Sequence, residues 1–400
     1  MTLEPATQKQ PIHTTRKNCR ACGSTGLTEV LDLGNQALPR FTTEPFTSLP
    51  IAPLNLLRCA GCGLLQLQDT VNPDLLFREF WYRSGINQTM RDALEDVVNC
   101  GILYHSRGSW LDIGANDGFL LSKVPVSFRK VACEPALNFK PELEELSDEV
   151  LADYFSADKL RERFHVITSA AMFYDLDDPA KFVSDIAKSL HDDGVWINQL
   201  NDAPTMVKQH AFDAICHEHL CYYDIPSLDL LYRSHGLTIH HISWNEVNGG
   251  SVRIVAYKTG CPKYRPTDLL GIPRVSGAEA LRFAAWVKRW RSTMGDLIGN
   301  LTVHEPLWGY GASTKGCVLT QYLGIGNSLG AIADRNPKKH GLRMVGKWLI
   351  TNEDVMRKAR PRYVLVLPWA FKDEFEAREV QMRENGSTFI YPLNEITLTT

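Results

Sequence analysis

From Trp110 onward the chain alternates short apolar runs with segments of helical period, the pattern of a parallel sheet covered by helices. Ser109 to Ile113 reads as a strand, a turn follows at Gly114, and a helix opens near Gly118. A second strand over Lys130 to Cys133 ends in Glu134-Pro135. The step recurs: Val166 to Ser169 is predicted as a buried strand, Met172 to Asp178 as a loop and Lys181 to Leu190 as a helix. Asp192-Asp193-Gly194 reads as a turn into a strand over Val195 to Gln199, and Asn248 to Gly250 as a turn feeding a strand through Ile254. Pro262, Pro266 and Pro273 space out a linker. Beyond it Phe283, Val287, Trp290, Met294, Leu297 and Leu301 recur at three and four residues, predicting an amphipathic helix over Ala278 to Leu301 whose stripe packs a core. A second α/β unit opens at Pro306, turns through Gly309, Gly311 and Gly316, and reaches a strand ending at Ala333-Asp334.

Upstream, Cys19-Arg20-Ala21-Cys22-Gly23 and Cys59-Ala60-Gly61-Cys62-Gly63 are two metal-binding knuckles. Two residues between cysteines let both thiolates hold one ion, and two knuckles supply the four sulfurs of a closed tetrahedral zinc site. Cys19, Cys22, Cys59 and Cys62 are the predicted ligands. The stretch between them exceeds the usual zinc-ribbon spacing and is expected to fold out as a lobe. With four thiolates no coordination position stays open, so the zinc is structural.

The chain has 400 residues, 44% hydrophobic and 22% charged, which suffices for two or three cores. We divide it into residues 1–80 as the zinc-binding domain, 81–260 as a central α/β domain, and 261–400 as linker helix plus a second α/β domain. Of ten cysteines four sit in close pairs, which favours a metal site in a reducing compartment over a disulfide framework. A formal net charge of -3 leaves no field for nucleic acid. Met1 to Asn18 lacks the apolar core of a signal peptide, and the longest apolar run, Tyr363 to Phe371, is interrupted by Pro368 and far short of the ~20 residues of a membrane span. The expectation is a cytoplasmic protein with neither nucleic acid nor membrane as partner.

The central turn carries Asp112, Asn116 and Asp117 and lacks a third spaced glycine. That chemistry repels a pyrophosphate and suits a cationic sulfonium, so S-adenosylmethionine is the expected cofactor, with Glu134 placed to accept the ribose hydroxyls. Read as bare structure, the same turn needs only Asp117 as a helix cap. The C-terminal turn, with spaced glycines and Lys315 at a helix start, is the better phosphate cradle. It serves a nucleotide diphosphate or domain packing.

These motifs fall in one order along nearly the whole chain, together with Leu31-Asp32-Leu33-Gly34, His217-Glu218-His219-Leu220, Gly249-Gly250-Ser251, Asp334-Arg335-Asn336-Pro337 and Leu367-Pro368-Trp369. In this the chain resembles the sugar 3-C-methyltransferase family. The resemblance implies a zinc domain, a Rossmann-like S-adenosylmethionine methyltransferase domain and a C-terminal Rossmann-like domain, with the active site between them. It implies a nucleotide-linked deoxysugar as acceptor, with Tyr82, Ser84, Gly114, Ala115, Asp153, Tyr154 and Ser169 around the cofactor in addition to the turn residues. Glu218 and His219 then lie near the substrate, as do Cys216, Asp175, Ser313 and Lys315. Three positions depart from the family pattern: Cys216 stands where tyrosine is usual, and Met172 and Asp175 where asparagine and histidine are usual.

Carbon methylation beside a ketone needs a base for the proton and a donor for the carbonyl oxygen. His219 is expected to take the proton, Glu218 to orient it or share the role, and Tyr222 or His217 to bond the enolate. By itself the His-Glu-His run suits a polar surface or satisfied core histidines equally well. Two other readings stay open: a methyltransferase of a non-sugar natural-product acceptor, and a nicotinamide-dependent oxidoreductase in which Asp334 holds a ribose.

Overall fold

The computed structural model describes residues 11–78 and 82–399. The expected boundary between residues 80 and 81 lies outside the described residues, as do residues 1–10 of the N-terminal segment.

Seven strands make the central sheet, in the order Leu237–Asn245, Ser251–Lys258, Leu190–Asn201, Phe164–Ala170, Gly108–Ile113, Phe128–Cys133 and Glu149–Leu151. The last five run parallel, and Ser251–Lys258 is antiparallel to both its neighbours. Strands buried on both faces read as apolar runs, which is why this domain was legible. Trp110 and Trp196 are fully buried beneath the covering helices. The helix expected over Lys181 to Leu190 spans Pro179–Ser189, because Asp178 caps it by accepting from the Lys181 N–H and Pro179 fits the first turn. The Asp192-Asp193-Gly194 turn proves to be an irregularity inside one strand: Phe164 pairs with Leu190, and Val166 already with Val195.

The C-terminal sheet holds eight strands, five of them parallel: Thr388–Tyr391, Tyr363–Val366, Leu307–Tyr310, Leu329–Ala333 and Trp348–Thr351. The linker helix runs over Gly277–Leu301 behind a Ser276/Glu279 capping box. It buries Phe283, Val287, Trp290, Met294 and Ile298, and Trp290 Nε1 donates to the Pro392 carbonyl at 2.6 Å.

The stretch between the cysteine knuckles does not stand out as a lobe. Leu27–Ala37 and Ile51–Cys59 pair antiparallel, and Phe41–Thr42 between them adds an edge strand to the C-terminal sheet by pairing with Arg343–Met344. On the zinc domain's other edge, Cys221–Tyr222, from the segment after the His-Glu-His run, pairs with Leu65–Leu67. The zinc domain and the central domain thus each lend backbone to another's sheet, and a cavity of about 1500 Å³ lies where the three domains meet.

Candidate active site

The four knuckle sulfurs converge. Cys19 Sγ lies 3.5 Å from Cys62 Sγ, Cys22 Sγ lies 3.6 Å from Cys59 Sγ, and all four are within 4.8 Å of one another. A tetrahedral zinc with Zn–S of about 2.3 Å needs sulfurs about 3.8 Å apart, whereas a disulfide needs about 2.0 Å. The donor set therefore fits zinc. The knuckles' glycine amides close back on the cysteine carbonyls, Gly23 N to Cys19 O and Gly63 N to Cys59 O.

Arg20, inside the first knuckle, ties this centre to the cavity. Its buried guanidinium donates to Gln66 Oε1, the Leu67 carbonyl, Thr70 Oγ1 and Asp177 Oδ1. Asp177 belongs to the loop that carries Tyr174 and Asp175 into the cavity, and the Leu220 N–H donates to the Tyr174 carbonyl at 2.8 Å. That loop leaves its strand through Ala171 at φ 56, a left-handed turn in a non-glycine residue.

At one end, Asp112, Gly114, Ala115, Asn116, Glu134, Tyr82, Ser84 and Tyr154 all line the cavity. Glu134 accepts from the Asn116 N–H and from the Ala136 N–H, each at 2.8 Å, which fixes the turn over the strand ends. Asn116 Nδ2 donates to the Tyr82 carbonyl, and its Oδ1 accepts from the Ser84 N–H. Gly114 sits at φ +74, and a Cβ there would lie 2.9 Å from Met172 Cγ. Burial and the charge of Glu134 push Asp112 up to about 7, opposed by the Thr168 hydroxyl at 2.7 Å. Two buried carboxylates side by side suit the positive sulfonium and amino group of S-adenosylmethionine and oppose a pyrophosphate.

At the other end, Glu218 and His219 face the N-terminus of the helix Thr314–Leu323. Burial pushes Glu218 up to about 7, with hydrogen bonding from Cys216 and Thr314 opposing it, and its Oε2 has no partner. His219 stacks edge-on to Tyr174 at 4.4 Å, and its Nδ1 lies 2.9 Å from the Ala214 carbonyl, an acceptor. Nδ1 therefore carries the proton, leaving the Nε2 lone pair free. Burial, then the Lys315 ammonium, hold His219 down to about 3. Asp175 is driven well above the carboxylate range, first by burial and then by the charge of Glu218.

The C-terminal turn joins the same wall through Ala312, Ser313, Thr314 and Lys315. Ser313 caps the helix by accepting from the Gly316 N–H, and Lys315 Nζ donates to the Asn248 carbonyl at 3.1 Å. Asp334 accepts from the Ala312 and Asn336 N–H groups, the device Glu134 provides in the central domain. Gly311 is at φ +81, where a Cβ would meet Pro368 Cγ at 2.4 Å.

Several expected residues lie elsewhere. Tyr222 is off the cavity wall, its hydroxyl donating to the His219 carbonyl at 2.8 Å, because strand pairing turns it into the core. His217 reaches the wall, but its Nε2 is engaged with the Ala52 carbonyl at 3.1 Å, and burial holds it down to about 4. Ser169 is buried between Asn198 and the Trp196 indole, Asp153 is half-exposed and paired with Lys159, and Cys216 lies fully buried behind the wall. Asp334 also lies off the wall, engaged by its own turn. Sequence reasoning missed Asp213, whose Oδ2 accepts from the Trp369 indole at 2.8 Å, and Lys339, which donates to the Ala312 carbonyl. Both line the cavity, and neither carries a local motif.

A parallel sheet with an acidic turn at its carboxyl end, set for a cationic cofactor, defines an S-adenosylmethionine-dependent methyltransferase. Family models describe residues 19–77 as a zinc binding domain, 82–242 as a methyltransferase domain and 246–394 as a C-methyltransferase C-terminal domain. The C-methyltransferase NovU of Streptomyces niveus is 26% identical over 401 residues, covering 94% of this chain and 95% of that protein. The three models follow one another along the chain in the order of a zinc-binding, S-adenosylmethionine-dependent C-methyltransferase, and the four cysteines supply its structural zinc site. Among solved structures, an S-adenosylmethionine-dependent methyltransferase from Clostridium acetobutylicum aligns at 11% identity over 44% of this chain and 94% of its own, TM-score 0.35. Magnesium protoporphyrin IX methyltransferase from Synechocystis PCC 6803, with bound SAH, aligns at 10% identity over 43% and 84%, TM-score 0.36. Among the described residues no helix is long and apolar enough to cross a membrane.

Proposed function

We propose that the chain methylates the carbon beside a ketone, C-3 of a nucleotide-linked 4-keto-deoxysugar, through an enolate. The observation that carries this reading is the shared wall: Glu218 and His219 stand opposite a helix N-terminus and Lys315 of the next domain, with Asp175 beside Glu218. Carbonyl chemistry thereby sits beside an anion cradle suited to a diphosphate. Bound S-adenosylmethionine supplies an electrophilic methyl group, held by the Asp112 to Asn116 turn and Glu134.

Glu218 is the base in this reading. Taking a proton discharges a buried anion, and an affinity near 7 matches neutral pH. The α-proton goes to Glu218, and the C–H electron pair moves onto the carbonyl oxygen as the enolate forms. The His219 Nε2 lone pair accepts a hydrogen bond from a substrate hydroxyl. A second reading, with Nε2 as the base, is favoured by that free lone pair and requires an anion opposite Lys315 to lift His219 from about 3.

The test is proton–deuterium exchange at the carbon beside the ketone, in nucleotide-linked 4-keto-deoxysugars, with S-adenosylhomocysteine in the cofactor site. Exchange lost in Glu218→Gln and kept in His219→Asn supports Glu218, and the reverse supports His219. No exchange with any such sugar, despite S-adenosylhomocysteine binding, would turn the assignment to a non-sugar ketone.

A further inference from the structure

With Tyr222 turned into the core and Cys216 behind the wall, neither supplies a donor for the enolate oxygen. Asp175 stands in the same cavity as Glu218, on the 3-10 turn Phe173–Asp175. Its Oδ1 is sealed from solvent without any hydrogen-bond partner, and so is Glu218 Oε2. Two sealed oxygens with nothing to bond, on residues that line one cavity, are groups held for a ligand. We propose that Asp175 is a catalytic residue, a neutral carboxylic acid whose O–H hydrogen-bonds the carbonyl oxygen of the acceptor as the enolate forms.

This rests on the enolate reading above. The groups around Asp175 are Glu218 and Cys216 on the His-Glu-His segment, Tyr222 on the strand after it, and Tyr174 beside it. His219, edge-on to the Tyr174 ring, is uncharged. No cation faces Asp175 among the described residues, which sets it apart from Asp213, where burial raises the carboxyl and Lys315 and the Trp369 indole oppose the rise. A carboxyl in an apolar pocket beside another carboxyl stays protonated, and two neighbouring acids in unequal environments divide into donor and base. Here Glu218 accepts the proton from carbon while Asp175 keeps its own and shares it with the oxygen. No proton or electron is needed from elsewhere. The aspartate occupies a position where the family pattern has histidine.

Infrared difference spectra of the parent protein and Asp175→Asn, both with S-adenosylhomocysteine bound, read the protonation directly. A protonated-carboxyl band at pH 7 that vanishes in the variant is expected, and an ionised Asp175 at that pH overturns the proposal whatever the substrate. Deuterium exchange reads the role. Asp175→Ala is expected to slow exchange about 10²- to 10³-fold, the usual effect of losing one oxyanion donor. Asp175→Asn, which keeps an N–H donor, retains more exchange and loses the parent's fall in rate at alkaline pH. Parental exchange in Asp175→Ala, or equal losses in both variants with an unmoved pH profile, overturns the donor role alone. No exchange in the parent protein with either sugar or non-sugar ketones overturns the enolate reading, and the donor role with it.

Discussion

Glu218, the proposed base, costs the fold stability, and Glu218→Gln separates that cost from the role. Its carboxyl is raised from 4.5 to about 7 by burial. Below pH 4.5 both folded and unfolded chains keep the proton, and the group costs nothing. Between pH 4.5 and 7 the unfolded chain releases the proton while the folded one holds it, so the folded state loses ground, and above 7 the loss is constant. At ~1.4 kcal/mol per pH unit the full penalty is about 3 kcal/mol. Glutamine keeps the shape and carries no charge. The variant should match the parent's stability near pH 4.5 and exceed it by up to about 3 kcal/mol at pH 8, read by urea unfolding. Its kcat should fall about 10²- to 10⁴-fold, the usual contribution of a general base. In the parent, kcat/KM should rise with pH toward 7 and then level off before its alkaline fall, and the variant's residual rate should lack that rise. A parent-variant stability gap that does not widen with pH would refute the burial argument. An unchanged acid limb in the variant would refute Glu218 as the base.

Removing the zinc by chelation, or Cys59→Ser, should unfold the N-terminal sheet and abolish methyl transfer, since structural zinc contributes about 10 to 16 kcal/mol in small peptides; circular dichroism and zinc release measured together check this. Arg20→Met leaves the buried Leu67 carbonyl without its guanidinium donor and frees Asp177, so about 1 to 3 kcal/mol of stability should go, with a larger fall in kcat than in cofactor affinity. Gly114→Ala forces a Cβ against Met172 at positive φ, and calorimetry should show weaker S-adenosylhomocysteine binding with the zinc retained. Lys315→Ala should raise KM for a nucleotide-linked substrate more than it lowers kcat, and raise the proton affinity of His219, followed by NMR titration.

The knuckle spacing, the strand ending at Ile113, the acid after Cys133 and the helix stripe through Trp290 were all legible in the sequence, because each expresses a local rule. Two thiolates grip one ion across a short turn, buried parallel strands read as apolar runs, and a helix shows its core face every three to four residues. What the His-Glu-His run does was not legible, since His217, Glu218 and His219 are adjacent in the chain yet face the Ala52 carbonyl, the Thr314 helix and the Tyr174 ring. Only the tertiary structure decided that Tyr222 belongs to the core, that Phe41–Thr42 and Cys221–Tyr222 complete other domains' sheets, and that Asp175 and Glu218 share one cavity. A carboxyl's protonation depends on how much water and which charges surround it, and those surroundings come from segments far apart in the chain, which no local pattern records.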